Sequence, residues 1–145
     1  MAGNSARVID TVLIKHLDYL QVVINRLSHE LFAYKGWAVT LIVLLFAVAA
    51  ASGKGQIVPI AMVPAFAFSG LDAYYLRQQR LYRALYDAVR DGSADALEGG
   101  PLSMDITPYG EQVASWWRTL FAKSVVLTYG MLVMLTWSVI AFTYP

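Results

Sequence analysis

Cysteine is absent from the 145 residues, which excludes disulfides, a thiol nucleophile and any cysteine-ligated metal. Charge is scarce as well. Only 14% of residues are charged and 58% are hydrophobic, against roughly 25% charged in a soluble domain. Histidine is limited to His16 and His29. Their spacing does not put a metal-binding pair on one helix face, and both read as partly exposed helix histidines. The "HE" at 29–30 lacks the second histidine of a zinc-protease helix. Also missing are a glycine-rich phosphate loop, a GxSxG elbow and paired carboxylates. No catalytic constellation remains, so neither an enzyme, a cofactor nor a metal is expected.

What is present is apolar length. Three runs carry no charge: Gly36–Gly53, Gly55–Leu71 and Ser124–Pro145. At 1.5 Å per residue these give helices of about 27, 26 and 33 Å, enough to cross a bilayer. The second run extends through Tyr75 if Asp72 lies at the interface. No ionisable group lies deep in any run, so neither a proton relay nor a voltage sensor is expected. The fold class that follows is all-α: an integral membrane protein with three transmembrane helices and long amphipathic cytoplasmic helices. Its parts are a heptad helix at 1–35, a membrane hairpin at 36–75, a cytoplasmic segment at 76–118 and a third span at 119–145. The cytoplasmic segment comprises a basic helix, an acidic loop and an interfacial helix. The apolar runs begin too late for a cleavable signal peptide.

The net charge of +1 conceals segregation. Arg7, Lys15, Arg26 and Lys35 precede the first run, and Arg77, Arg80, Arg83, Arg90, Arg118 and Lys123 lie between the second and third. The hairpin loop has only Lys54, and nothing basic follows Lys123. The positive-inside rule then predicts a multi-pass protein of the cell inner membrane, N-terminus cytoplasmic and C-terminus outside. Tyr34, Trp37, Trp116, Trp117 and Tyr144 suit interfacial positions. Pro59 and Pro64 mark the second span as a candidate hinge, although membrane helices tolerate proline; Pro64 is the better placed to kink it.

Residues 5–35 read as one helix capped near Ser5 and continuous with the first span. Leu13, Leu17, Leu20, Ile24, Leu27, Leu31 and Tyr34 form a heptad seam. Val8, Val12, Tyr19 and Val23 widen it, and self-association is the economical way to cover it. After the hairpin comes "AYYLRQQRLYRALYDAVR", with Leu71, Tyr75, Gln78, Tyr82, Leu85 and Val89 spaced as a packing face. Arg77, Arg80, Arg83 and Arg90 form another stripe. Either that stripe anchors the helix to anionic lipid or to nearby carboxylates, or it grips a phosphate-bearing ligand with Tyr82 and Tyr86 available for stacking. Residues 91–106 read as an acidic, glycine-rich loop. Thr107-Pro108 then starts a helix expected to run through Trp116 into the third span. Along that span Ser124, Thr128, Met131, Leu135, Ser138 and Phe142 share a face. Its three hydroxyls, Ser124, Thr128 and Ser138, serve either interhelical hydrogen bonds or the lining of a narrow aqueous path.

A short-looped membrane hairpin leading directly into "DAYYLRQQRLYRALYDAVR" resembles the SLATT class of small bacterial membrane effectors over about residues 1–92. The third span departs from a plain two-span layout. The resemblance implies a homo-oligomeric, pore-forming effector of antiphage defence, controlled by a partner that senses infection or makes a nucleotide signal. The expected function is accordingly an oligomeric channel gated from the cytoplasm by a nucleotide, an oligonucleotide or a soluble regulatory protein. The alternative is a non-conducting anchor or assembly subunit that recruits a soluble partner through the heptad helix. A small transporter is a third option, disfavoured because internal repeats and buried charges are lacking.

The topology has a direct test. An impermeant thiol reagent should label Ser52→Cys from outside the cell and Ser93→Cys only from inside; labelling of both from outside overturns the orientation.

Overall fold

The computed structural model of the chain describes residues 2–92 and 102–143, with side chains placed over 11–92 and 102–142. The side chains of Ser5, Arg7 and Val8, residues 93–101 of the acidic stretch, and Tyr144 lie outside that description. Among the described residues the fold is all-helical, with no strand. The α-helices are α1 (Ala2–Ser52), α2 (Met62–Arg90), α3 (Trp116–Leu120) and α4 (Lys123–Thr143). Two 3-10 helices, Gly55–Ala61 and Thr107–Tyr109, precede α2 and α3. Three stretches are long and apolar enough to cross a membrane: one in α1, one running from the first 3-10 helix through α2, and one in α4.

α1 starts before Ser5 and continues through Gly36 without a break. It contains no proline, and one interior glycine costs only about 1 kcal/mol. The helix stops at Gly53, whose φ of 64° places it in the left-handed region that glycine enters freely. Gly92, with φ 70°, closes α2 in the same way. Pro59 lies inside the 3-10 helix and Pro64 in the first turn of α2. A first-turn proline removes no intrahelical hydrogen bond. The departure from α geometry therefore precedes Pro64 instead of following from it.

The helix expected to run from Thr107 into the third span is interrupted. Only Thr107–Tyr109 is helical, as 3-10, and helix resumes at Trp116, then again at Lys123. The first turn is closed by Asp105, whose Oδ1 accepts the Thr107 backbone N–H at 2.9 Å and its hydroxyl at 2.6 Å. Those two donors hold the Asp105 carboxyl below its ordinary range.

The chain divides into two compact units. The first comprises Met1–His29 and Arg77–Ser115. Its core joins Leu20 to Leu81, Leu85, Val89 and Tyr109, with Leu13, Leu17, Met104, Ile106 and Val113 around them. Gln79 Nε2 donates to Ser28 Oγ, which donates to Ile24 O at 2.9 Å. His16 is 3% exposed, with Nε2 2.8 Å from Ser103 O. It is thus a buried histidine holding the Ser103 strand of chain, not the partly exposed one its spacing suggested. With a carbonyl as partner, Nε2 carries the proton.

The heptad seam is largely closed by the chain itself. Leu20, Ile24 and Leu31 are buried, while Leu13, Leu17, Leu27 and Tyr34 are half-buried. Around Leu20 the covering residues are the large apolar side chains of α2, so those seam positions are not free for a second copy. The packing face read on α2 also needs correction. Leu85 and Val89 are buried as expected, but Leu71 is exposed, and Asp72, Ala73 and Gln79 are buried in its place. One phase of the helical period does not serve the whole of α2, because the residues covering it change along its length.

The second unit comprises Glu30–Leu76 and Trp116–Pro145. Small residues dominate its interior: Ala38, Ala61, Ala65 and Ala73, with Ile42, Val125 and Tyr129. Alanine at helix contacts lets backbones approach closely, which favours association where apolar burial gives no driving force. The outward faces are apolar too, with Val43, Leu44, Phe66, Leu127, Met134 and Phe142 all exposed.

Leu20→Ala should remove apolar volume from a side chain with no exposed surface. We expect a loss of about 2–5 kcal/mol in denaturant unfolding followed at the first unit. A loss below about 0.5 kcal/mol would show that the Leu20 contact with α2 is not made.

Candidate functional site

The arginine stripe rises from α2 in the first unit, with Arg77, Arg80 and Arg83 at steps of three residues as surface neighbours and Arg90 two turns further on. Arg77 is half-buried, and its Nη2 donates to Gly110 O at 3.2 Å. Its Nε is buried with no hydrogen-bond partner. Among the described residues no carboxylate pairs with Arg77, Arg80 or Arg83. Arg90 differs: Nη1 meets Asp87 Oδ1 at 3.2 Å and Nε meets Asp91 Oδ1 at 3.0 Å. These pairs are exposed and add little to stability, but they neutralise Arg90 locally. Tyr82 and Tyr86 are half-buried against the core of the unit. Among the described residues Arg77, Arg80 and Arg83 thus have no anionic partner, Arg90 is tied to its own neighbours, and both tyrosines are partly occupied in packing.

The hydroxyl face of α4 points out of the second unit. Ser124 and Ser138 are exposed and Thr128 half-buried, while Val125, Tyr129 and Thr136 form the buried face. Thr128 and Ser138 each donate to the carbonyl four residues earlier, at 2.9 Å. They make no interhelical hydrogen bond within this chain.

A polar group that sequence reading missed lies inside the second unit. Asp72 has no exposed surface. Lys35 Nζ reaches both carboxylate oxygens, at 3.0 Å for Oδ1 and 2.9 Å for Oδ2. Only Oδ1 receives a well-aligned hydrogen bond, and Oδ2 keeps an unused acceptor. The Tyr129 hydroxyl is buried with no hydrogen-bond partner among the described residues, and its cluster takes in Phe68 and Leu76, one turn either side of Asp72 on α2. Tyr34 and Tyr75 stack beside the pair, with ring centroids 4.9 Å apart, and Trp116 Nε1 donates to Gly70 O at 3.1 Å. A signal for the pair did exist. Lys35 is 18 residues before Gly53 and Asp72 is 18 after Lys54, so a hairpin closed at that turn sets them opposite each other. Asp72 lies just past the second charge-free run and not deep within it; its enclosure against Lys35 is what the run boundaries did not indicate.

A cavity of about 270 Å³ lies in the same unit, lined by Phe46, Ala49, Val58 and Val139 among others. Its walls carry neither a charge nor a hydroxyl. Among the described residues no three His, Asp or Glu side chains cluster as metal ligands. No family model, curated protein or solved structure matches the chain.

Two of the arginines should respond differently to truncation. Arg77→Ala removes the Gly110 contact and is expected to destabilise the first unit by about 1–3 kcal/mol. Arg83→Ala, on an exposed side chain, should change stability by less than about 0.5 kcal/mol. Thermal unfolding in detergent measures both, and equal losses would remove the distinction.

Proposed function

We propose that the chain is a multi-pass integral membrane protein that assembles into a homo-oligomeric channel or pore, with its N-terminus and the 72–123 segment in the cytoplasm. The apolar exposed surface of the second unit supports the membrane placement, because soluble surfaces rarely carry apolar patches of this extent. The basic asymmetry supports the orientation.

The observation that carries the channel reading is the outward hydroxyl face of α4. Ser124, Thr128 and Ser138 line up on the side of α4 away from its buried face, with Ser124 and Ser138 exposed and Thr128 half-buried. Hydroxyls gain nothing from facing lipid, whereas neighbouring copies could bring them onto a shared axis. Control from the cytoplasm falls to Arg77, Arg80 and Arg83, whose guanidinium groups lack anionic partners among the described residues and suit a phosphate-bearing ligand such as a nucleotide or oligonucleotide, or an acidic partner protein. The resemblance to SLATT effectors supports a role for such a channel in bacterial antiphage defence.

One observation favours a non-conducting anchor instead. The Thr128 and Ser138 hydroxyls are already satisfied by their own helix, so they make no demand on water. Recruitment through the heptad seam would have to use positions other than Leu20, Ile24 and Leu31, which are buried.

Ion flux from liposomes separates the two readings, and the absence of native cysteine makes single-site labelling clean. In the channel reading a charged, impermeant thiosulfonate should modify Thr128→Cys and Ser138→Cys and change the flux. Leu127→Cys, on the exposed apolar side, should be left alone. A protein that conducts nothing, with or without nucleotides, and resists modification at both positions is an anchor.

A further inference from the structure

The Lys35–Asp72 pair is lopsided. Asp72 is wholly enclosed, whereas 24% of the Lys35 side chain remains exposed. A cation from outside cannot reach the carboxylate, but an anion can reach the ammonium. A buried carboxylate left charged without a donor is strongly unfavourable, so the loss of Lys35 calls for another donor or for a proton on the carboxylate itself. The second unit holds that donor. The Tyr129 hydroxyl on α4 is buried and unpartnered among the described residues, its cluster takes in Phe68 and Leu76, one helical turn either side of Asp72, and Oδ2 has an acceptor position to receive a donor. In the present arrangement the hydroxyl forms no hydrogen bond, an uneconomical state for a buried polar group. It becomes useful if the carboxylate changes partner.

We infer that Lys35 and Asp72 form a latch between α1 and α2 that a phosphate-bearing anion releases by taking Lys35, with the Tyr129 hydroxyl then donating to Asp72. The anion's location rests on the membrane reading above: Lys35 and Asp72 flank the two charge-free runs, where phospholipid phosphates would lie. The latch itself rests on the geometry of the pair and does not require that the protein conduct. With Lys35 withdrawn, α1 and α2 lose their one ion pair in this unit among the described residues, and Ala38 and Ala73 on their buried faces become accessible.

Ala73→Cys supplies the reporter, since Ala73 adjoins Asp72, has no exposed surface and sits in a chain without cysteine. Maleimide labelling is followed in nanodiscs of phosphatidylcholine alone, in nanodiscs containing phosphatidylglycerol, and in phosphatidylcholine with added pyrophosphate. Labelling should be slow in neutral lipid and about tenfold faster in at least one anionic condition, a local opening governed by a charge-assisted contact. The condition that accelerates it identifies the source as lipid headgroup or free phosphate. Lys35→Met should label fast in every condition, including detergent, and Lys35→Gln serves if that variant does not fold. Tyr129→Phe should match the reference in neutral lipid and lose the acceleration.

Slow labelling of the folded Lys35 variant overturns the latch. Indifference of the reference protein to both anions overturns the release. Full acceleration in Tyr129→Phe overturns the exchange of partners. Failure of the protein to enter nanodiscs, with fast labelling of Lys35→Met in detergent, would sink the membrane reading and leave the latch standing.

Discussion

A carboxylate can be enclosed among apolar helices only if something compensates its charge, and in the second unit that requirement falls on Lys35. The consequence reaches well beyond two side chains. Asp72 belongs to α2 and Lys35 to α1, so meeting the requirement fixes the register in which the two helices run antiparallel. Within that unit the register brings Tyr34 onto Tyr75. Removing either charge alone would leave the other stranded, the most destabilising way to lose a buried pair.

The two units solve helix packing by different means. In the first, leucines and valine interlock around Leu20 and Tyr109, and the backbone polar groups are supplemented by Ser28, Gln79 and His16. That is the chemistry of a water-facing core, in which large apolar side chains leave solvent. In the second, alanine is the commonest buried residue, beside Leu31, Ile42, Val58 and Val125, and many large apolar residues face outward. Small residues at helix contacts beneath an apolar exterior are the distribution that a lipid environment favours.

Much of this was legible in the chain. Charge-free length marked the three apolar helices, because a helix needs about 20 residues to cross a bilayer and few other structures tolerate such runs. The turn glycine Gly53 was legible because a lysine between two glycines leaves little else for the backbone to do. The burial of His16 was not legible. Its partner Ser103 lies 87 residues away, beyond a stretch with no periodicity from which to infer contact. The break before Lys123 was equally hidden: no proline or glycine marks it, and it shows only as Ala122 N–H bonding back to Thr119 O at 2.9 Å. For the candidate site, the arginine spacing could be read, but the Arg77–Gly110 contact could not, since a backbone carbonyl leaves no trace in residue identity. The enclosure of Asp72 went unread because a carboxylate next to an apolar run marks only the run's boundary until its partner is located.

The alanine-lined interior of the second unit has a mechanical corollary. Ridges formed by methyl groups are shallow, so buried alanines such as Ala38, Ala61, Ala65 and Ala73 allow close approach of neighbouring helices without interlocking. A contact of that kind resists being pulled apart but offers little friction to axial sliding. Leucine-rich packing would act as a gear; this acts as a bearing. Axial position along such a bearing is then held by a pin, not by the fit of the surfaces, and small forces along the helix axis translate into displacement, with little energy lost to repacking.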